Sequence, residues 1–307
     1  MNIVIFSKEV LDPEKRLDWG ALASIPGVQI LEEDTRDTQM EWVVDADIIC
    51  GNHVRFDREL LSKAKHLKYI VMMCTGYNHV DLEYCKERGI QVSNIPTYGT
   101  SSVAQFTMAL ILEACHRLDK NMAFVKEGRW GNGDQRFNWQ APQILLENKT
   151  LGIIGYGRIG KAVGNMAKAF GMKILTAGRD TLEQEYVFRN ADILSLHCNL
   201  TEENEHMICA ETIALMKEGV ILINTARGKL VDEDAVLDGL RSGKIYCVAS
   251  DVSEKEPIPR DHPLLQMDSF LLTPHIAWSN ERARQNIIDG TAENIEAFLD
   301  GDPIHLL

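Results

Sequence analysis

Two successive series of short apolar runs, spaced by polar stretches of helical length, limit what this chain can fold into more than any other feature. In the first series the runs are NIVIF (2–6), VQIL (28–31), DIICG (47–51), YIVMM (69–73) and IQVSN (90–94). In the second they are TLGIIG (150–155), MKILTA (172–177), ADILSLH (191–197), GVILIN (219–224), YCVASDV (246–252) and SFLLTP (269–274). Segments such as DRELLSKAKHL (57–67) and DLEYCKERG (81–89) lie between them. Apolar runs separated by helical patterns read as strands of a parallel sheet wrapped by helices. The pattern predicts an α/β protein with two doubly wound parallel sheets, Rossmann-like or flavodoxin-like. A length of 307 residues suits two such domains.

IPTYGT (95–100) breaks the first series with a Pro and a Gly. A long helix is expected from about Ser102, where Ser102 and Gln105 have capping-box spacing. Val103, Phe106, Leu110, Ala114 and Leu118 then recur at helical intervals. The stretch 126–149 is polar and glycine-containing, yet it carries Trp130, Phe137 and Trp139. Such a loop either folds back on its own domain or forms an arm that buries its aromatics in a second subunit. A last helix is expected over 281–300, with Ile288, Ala292, Ile295 and Leu299 on one face and Gly301 and Pro303 ending it.

The net charge is −13, with acid spread along the chain. This argues against general binding to nucleic acid or a membrane surface. No apolar run approaches the roughly 20 residues that span a bilayer. Seven cysteines at irregular spacing, without a C-x-x-C, read as reduced thiols of a cytoplasmic protein rather than a disulfide framework or a metal site.

Gly155-Tyr156-Gly157-Arg158-Ile159-Gly160 is a G-x-G-x-x-G that follows an apolar strand and opens a helix, with a second strand beyond. That is the setting a dinucleotide needs. Gly155 gives the tight turn, Gly157 admits the pyrophosphate and Gly160 brings helix and strand together. The amides of Arg158 and Ile159 face the phosphates. An acid at the end of the second strand would take the ribose hydroxyls of NAD. Here that place is held by Gly178, followed by Arg179, with Asp180 the rival acid. A Gly-Arg pair removes a charge that repels a 2′-phosphate and adds a guanidinium that pairs with it. The expected cofactor is therefore NADP(H), with NAD(H) left open through Asp180.

Three more segments follow strands of the second series: NTARG (224–228), DVSEKEP (251–257) and TPHIAW (273–278). The carboxyl ends of strands in open α/β sheets line the ligand crevice. Arg227 there can grip a carboxylate with two hydrogen bonds, and His275 can exchange a proton near neutral pH. A carboxylate such as Glu256 beside that His favours its protonated form.

With these segments in view, the chain resembles the D-isomer-specific 2-hydroxyacid dehydrogenase family, most closely its glycerate dehydrogenase (hydroxypyruvate reductase) branch. NTARG, DVSEKEP, TPHIAW and GYGRIG carry the resemblance. CTGYNHVDLEYCKERGIQVSNIPTYGTSSVAQFTMALILE (74–113) and FNWQAP (137–142) extend it over most of residues 66–290. The resemblance implies that Arg227 binds the substrate carboxylate, that His275 is the acid/base and Glu256 its partner, and that Glu254, offset by two, does not serve. It places Thr75 and Gly76 in the loop whose amides meet the carboxylate. It sets Asp251 near the nicotinamide amide, and Tyr156, His197, Thr225, Ala226 and Ala277 along the cofactor site. Trp139 falls near an aromatic that related reductases send from a neighbouring subunit. The family's usual hinge Glu is Gln105 here, and its usual Pro after the fourth strand is Asn199.

The implied architecture is a substrate-binding domain of residues 1–98 plus 281–307 and a dinucleotide-binding domain of 99–280, with the active site in the cleft between them. The implied reaction reduces a small 2-keto acid of hydroxypyruvate or glyoxylate type to the D-2-hydroxy acid with NAD(P)H, and the reverse. A homodimer through residues 101–149 is expected. Two rival readings stay open: a dehydrogenase for bulkier keto acids, and a nucleotide-sensing interaction protein on the same scaffold.

Overall fold

The computed structural model describes residues 1–32, 34–132 and 136–307. The chain forms two compact units, Met1–Gly99 with Trp278–Leu307, and Thr100–Ala277.

The first unit is built on β1 (Ile3–Ile5), β2 (Val28–Ile30), β3 (Ile48–Gly51), β4 (Tyr69–Met72) and β5 (Gln91–Ser93). They lie in the order β2-β1-β3-β4-β5, and every pairing is parallel. Successive side chains of a strand point to opposite faces, so a run that is apolar throughout serves two cores. Val4, Phe6, Ile49, Ile70 and Met72 pack with Leu60 and Leu61 on one face. Ile3, Ile5, Ile48, Tyr69 and Val71 pack on the other. That second face is completed by the helix Glu281–Leu299 from the far end of the chain, through Ile287, Ile288, Ala292 and Ile295. Phe298 of this helix stacks on Tyr69 with ring centroids 4.3 Å apart. Asn280 caps the helix by accepting from the Ala283 amide.

The second unit is built on β6 (Thr150–Ile154), β7 (Lys173–Ala177), β8 (Ile193–Leu196), β9 (Val220–Asn224), β10 (Ile245–Ser250) and β11 (Phe270–Leu272). Their order is β11-β10-β9-β8-β6-β7, again parallel throughout. The chain steps from β6 to β7 on one side and crosses back to β8 on the other. Loops leaving β6 and β8 therefore part in opposite directions and open a crevice at the carboxyl ends of the strands.

The helix that opens the second unit departs from the sequence pattern at both ends. It spans Thr100–His116, so Ser102 lies inside it and does not cap it. The Ser102 hydroxyl instead donates to the Ala277 carbonyl at 2.6 Å. The helix stops before Leu118, because Arg117 takes a left-handed conformation (φ 46°) and its guanidinium donates two hydrogen bonds to Asp119. A separate helix, Leu118–Lys126, follows, and Leu118 is exposed rather than on the core face.

In the loop beyond, Trp130, Phe137 and Trp139 are 51%, 75% and 67% exposed, so these aromatics do not fold back onto their own unit. Residues 133–135 of that loop lie outside the described residues. Ile144 and Leu146 return the chain to the core. All seven cysteines are free thiols. Among the described residues no helix is long and apolar enough to cross a membrane.

Candidate active site

The turn after β6 shows why glycine stands at each motif position. Gly155 has φ 93°, and a Cβ there would lie 2.6 Å from the His197 carbonyl carbon and the Cys198 nitrogen. The loops after β6 and β8 thus touch backbone to backbone. A Cβ on Gly160 would lie 2.4 Å from the Gly155 carbonyl oxygen, so this glycine seats the helix Arg158–Ala169 against the turn. Gly157 differs, since a Cβ there would meet nothing within 4 Å. It is the N-cap of that helix, and no side chain caps the first-turn amides. Open space at an uncapped helix N-terminus fits a pyrophosphate, which the amides of Arg158 and Ile159 would hold. Tyr156 packs partly buried beside Gly164.

At the end of β7, Gly178 also faces open space. Its amide and carbonyl face Glu183 and Gln184 of the next helix. Arg179 is exposed, and its charge adds to the Thr201 hydrogen bond that holds the Glu203 carboxyl below its usual range. Asp180 is the N-cap of the helix Thr181–Asn190, and its Oδ1 accepts from the amides of Leu182 (2.8 Å) and Glu183 (3.1 Å). The Asp180 carboxylate is therefore engaged with its own helix.

On the other limb of the sheet the three candidate catalytic side chains fall on neighbouring strand ends. Arg227 follows β9; its backbone carbonyl accepts from Asn224 Nδ2, and its Nη1 donates to the Ala226 carbonyl at 2.6 Å. Glu256 lies in the loop after β10 and His275 in the loop after β11. His275 Nδ1 is 2.7 Å from Glu256 Oε2, and the Ser253 amide donates to Glu256 Oε1 at 3.1 Å. Burial raises the Glu256 carboxyl. The hydrogen bond and charge of His275, the Ser253 amide and the charge of Arg227 outweigh that, and hold it below the usual carboxylate range. Glu254 turns the other way, with its carboxylate 3.6 Å from His206 Nε2.

His275 has φ 55°, a left-handed conformation uncommon for a side chain of its kind. Asp251 enforces it. The Asp251 carbonyl accepts from the His275 amide, and its buried carboxylate takes bonds from Thr273 Oγ1 and the amides of Ile276 and Ala277. Burial raises the Asp251 carboxyl despite these bonds. Both oxygens of Asp251 are thus bonded to the loop after β11, and the Ala277 amide and carbonyl are bonded within the unit as well.

Thr225 Oγ1 pairs with Thr107 Oγ1 at 2.9 Å, and the Ala226 amide donates to Asn224 Oδ1. His197 is partly buried, and desolvation depresses its pKa to about 4; Nε2 is 2.8 Å from Ser195 Oγ. In the first unit, Thr75 is exposed in the loop after β4, where its hydroxyl donates to Ile95 and its carbonyl accepts from Asn94. Gly76 follows it, half-buried.

Sequence reading passed over Glu233, His262 and Ser253. Glu233 accepts from Ser253 Oγ and the Glu254 amide and faces His262 Nε2 at 3.2 Å. The pair Asp232-Glu233 reads in sequence as ordinary acid at a helix start, and Asp232 is indeed the cap.

A turn that would hold a dinucleotide, beside an imidazole held against a carboxylate, defines a nicotinamide-dependent oxidoreductase. Residues 108–277 match the family model described as "D-isomer specific 2-hydroxyacid dehydrogenase, NAD binding domain". The chain is 40% identical to a hydroxypyruvate reductase of Blautia hydrogenotrophica, over all of this chain and 99% of that one. It is 39% identical to a glyoxylate reductase of Aeropyrum pernix, over 80% of this chain and 78% of that one. A D-lactate dehydrogenase from Aquifex aeolicus, solved with NAD and lactic acid, superposes with a TM-score of 0.81 at 33% identity, over 98% of this chain and 96% of that one. The chain belongs to the D-isomer-specific 2-hydroxyacid dehydrogenase family and is an oxidoreductase acting on CH–OH groups.

Proposed function

We propose that this enzyme reduces small 2-keto acids of hydroxypyruvate and glyoxylate type to D-2-hydroxy acids, NADPH being the favoured reductant. The observation that carries the reading is the 2.7 Å contact between His275 Nδ1 and Glu256 Oε2, near enough to Arg227 for its charge to act on Glu256. Arg227 holds the substrate carboxylate. The bound reduced nicotinamide supplies a hydride to the keto carbon. His275, held through Nδ1 by Glu256, gives the proton from Nε2 to the oxygen of that carbon. The ionised Glu256 stabilises the imidazolium before the transfer and reorients the neutral ring after it.

The preference for NADPH rests on Gly178, which leaves room, on exposed Arg179, and on Asp180, whose carboxylate caps its own helix. The first unit takes the role of substrate domain and the second that of dinucleotide domain. Leu118, Met122, Val125, Trp130, Phe137 and Trp139 are all exposed apolar side chains within residues 118–139, a stretch that suits contact with a second copy of the chain. Trp139 in this stretch is the candidate for reaching a neighbouring site. The free thiols suit the cytoplasm.

The test is steady-state oxidation of NADPH and NADH with hydroxypyruvate, glyoxylate, pyruvate and a bulky branched 2-keto acid. The highest kcat/KM is expected with NADPH and one of the two small oxo acids. A preference for the branched acid would favour the bulkier-substrate reading, and no turnover at all would favour a nucleotide sensor.

A further inference from the structure

We infer that Glu233 is a positioning residue for the reaction, its carboxylate fixing the turn that aims Glu256 at His275. This deepens the reading of Glu256 and His275 given above and rests on it. Glu233 is the first residue of the helix Glu233–Ser242. An acid there is ordinarily solvated, but this side chain is only 14% exposed. It lines a small internal cavity with Asn224, Gly228 and Ser250, under the ends of β9 and β10.

Two donors and an imidazole nitrogen, from two segments, converge on it. Oε1 accepts from Ser253 Oγ at 2.8 Å and from the Glu254 amide at 2.9 Å. Oε2 faces His262 Nε2 at 3.2 Å. The turn so held presents the Ser253 amide to Glu256 Oε1, which leaves Oε2 for His275 Nδ1. Each oxygen of Glu256 thus has a separate partner, and the bonds run from Glu233 through Ser253 and Glu256 to His275. The turn is also pressed onto Gly228, where a Cβ would lie 2.0 Å from the Ser253 carbonyl carbon and oxygen. Gly228 directly follows Arg227, so one turn sets both the arginine segment and the Glu256 carboxylate.

The charged groups around this relay are few. His262 and the Glu254–His206 pair lie beside the turn, with Lys229 bonded to Glu205. Glu256 and Asp251 face His275, and Arg227 acts on Glu256. If Glu233 is lost, Ser253 and the Glu254 amide lose a common acceptor and the turn is free to move. A displaced Glu256 then favours the protonated form of His275 less.

The experiment compares Glu233→Ala and Glu233→Gln with wild type in the full chain, using NADPH and hydroxypyruvate across pH. For Glu233→Ala, kcat is expected to fall about 10- to 100-fold, the effect of a misplaced reacting group. KM for NADPH should stay within about twofold, because no uniform cofactor contact is removed. The basic limb of kcat, where reduction fails for want of a proton, should move to lower pH. Glu233→Gln keeps an acceptor oxygen for the turn and should recover most of both. If Glu233→Ala melts near the assay temperature, His262→Ala carries the test, with a smaller change in the same direction. A folded Glu233→Ala with unchanged kcat and limb overturns the proposal. So does a loss of kcat with the limb fixed and no recovery in Glu233→Gln, which is the signature of a merely structural role. Wild-type inactivity, or a Glu256→Gln variant indistinguishable from wild type, would instead overturn the reading on which the proposal rests.

Discussion

His275 carries its imidazole on a left-handed backbone, φ 55°, and that conformation brings Nδ1 within 2.7 Å of Glu256 Oε2. The relationship is built by Asp251, whose carbonyl and carboxylate bind the amides of residues 275–277. The result is an imidazole whose Nδ1 is held by the carboxylate, and in the proposed reaction Nε2 exchanges the proton.

The pH response follows from Glu256. Its carboxyl is held below the usual range, so it stays ionised through mild acid. A group with a depressed folded pKa contributes stabilisation that is present above its unfolded value and lost as pH falls through the folded one. The acidic limb of kcat should therefore lie below the ordinary Glu value of about 4.3. Profiles of reversibly acid-treated enzyme check this; a limb near pH 6 would place the titrating group elsewhere.

The proposed preference for NADPH is tested at Arg179. Arg179→Ala should weaken NADPH at least about tenfold in kcat/KM, the loss of a charge-assisted phosphate contact, and change NADH little. Asp180→Ala should lower thermal stability through the lost cap, about 1 kcal/mol, without selective loss of NADH. Equal effects of Arg179→Ala on both cofactors would exclude a phosphate contact, and a selective loss of NADH in Asp180→Ala would restore the acid to the ribose.

His197 makes stability depend on pH. Desolvation holds its folded pKa at about 4 against an ordinary value of 6.5, so the unfolded chain takes up a proton that the folded chain refuses. Stability is full above pH 6.5 and declines as pH falls toward 4. The difference corresponds to roughly 3 kcal/mol at most. Urea titrations at pH 7.5 and 5 should show a smaller midpoint at the lower pH, and His197→Gln should reduce that gap. An undiminished gap would assign it to other groups.

How much of this was legible in the sequence depends on what each residue contacts. The strands were readable because Ile3, Ile49 or Leu222 need only be apolar on both faces of a sheet. The break at Arg117 was not, since no Gly or Pro marks it and an ion pair between its buried guanidinium and the exposed Asp119 holds it. Ser102 has the right spacing for a cap, but its hydroxyl is bonded to Ala277, far along the chain. Asp180 shows the same limit: sequence places an acid near the ribose position, and only the structure shows its oxygen bonded to helix amides. The reactive trio stood at strand ends and could be found there. Glu233 could not, because its partners Ser253 and His262 lie 20 or more residues away and its local pattern is that of any helix start.

The most direct measurement is the rate of NADPH oxidation by hydroxypyruvate for wild type and His275→Ala side by side, with NADPH binding measured for both. Wild type should turn over to D-glycerate. The variant should bind NADPH as wild type does and lose about 10²- to 10⁴-fold in kcat, the range for removal of a general acid. A variant within about threefold of wild type would remove His275 from the proton transfer, since loss of a general acid costs far more than that.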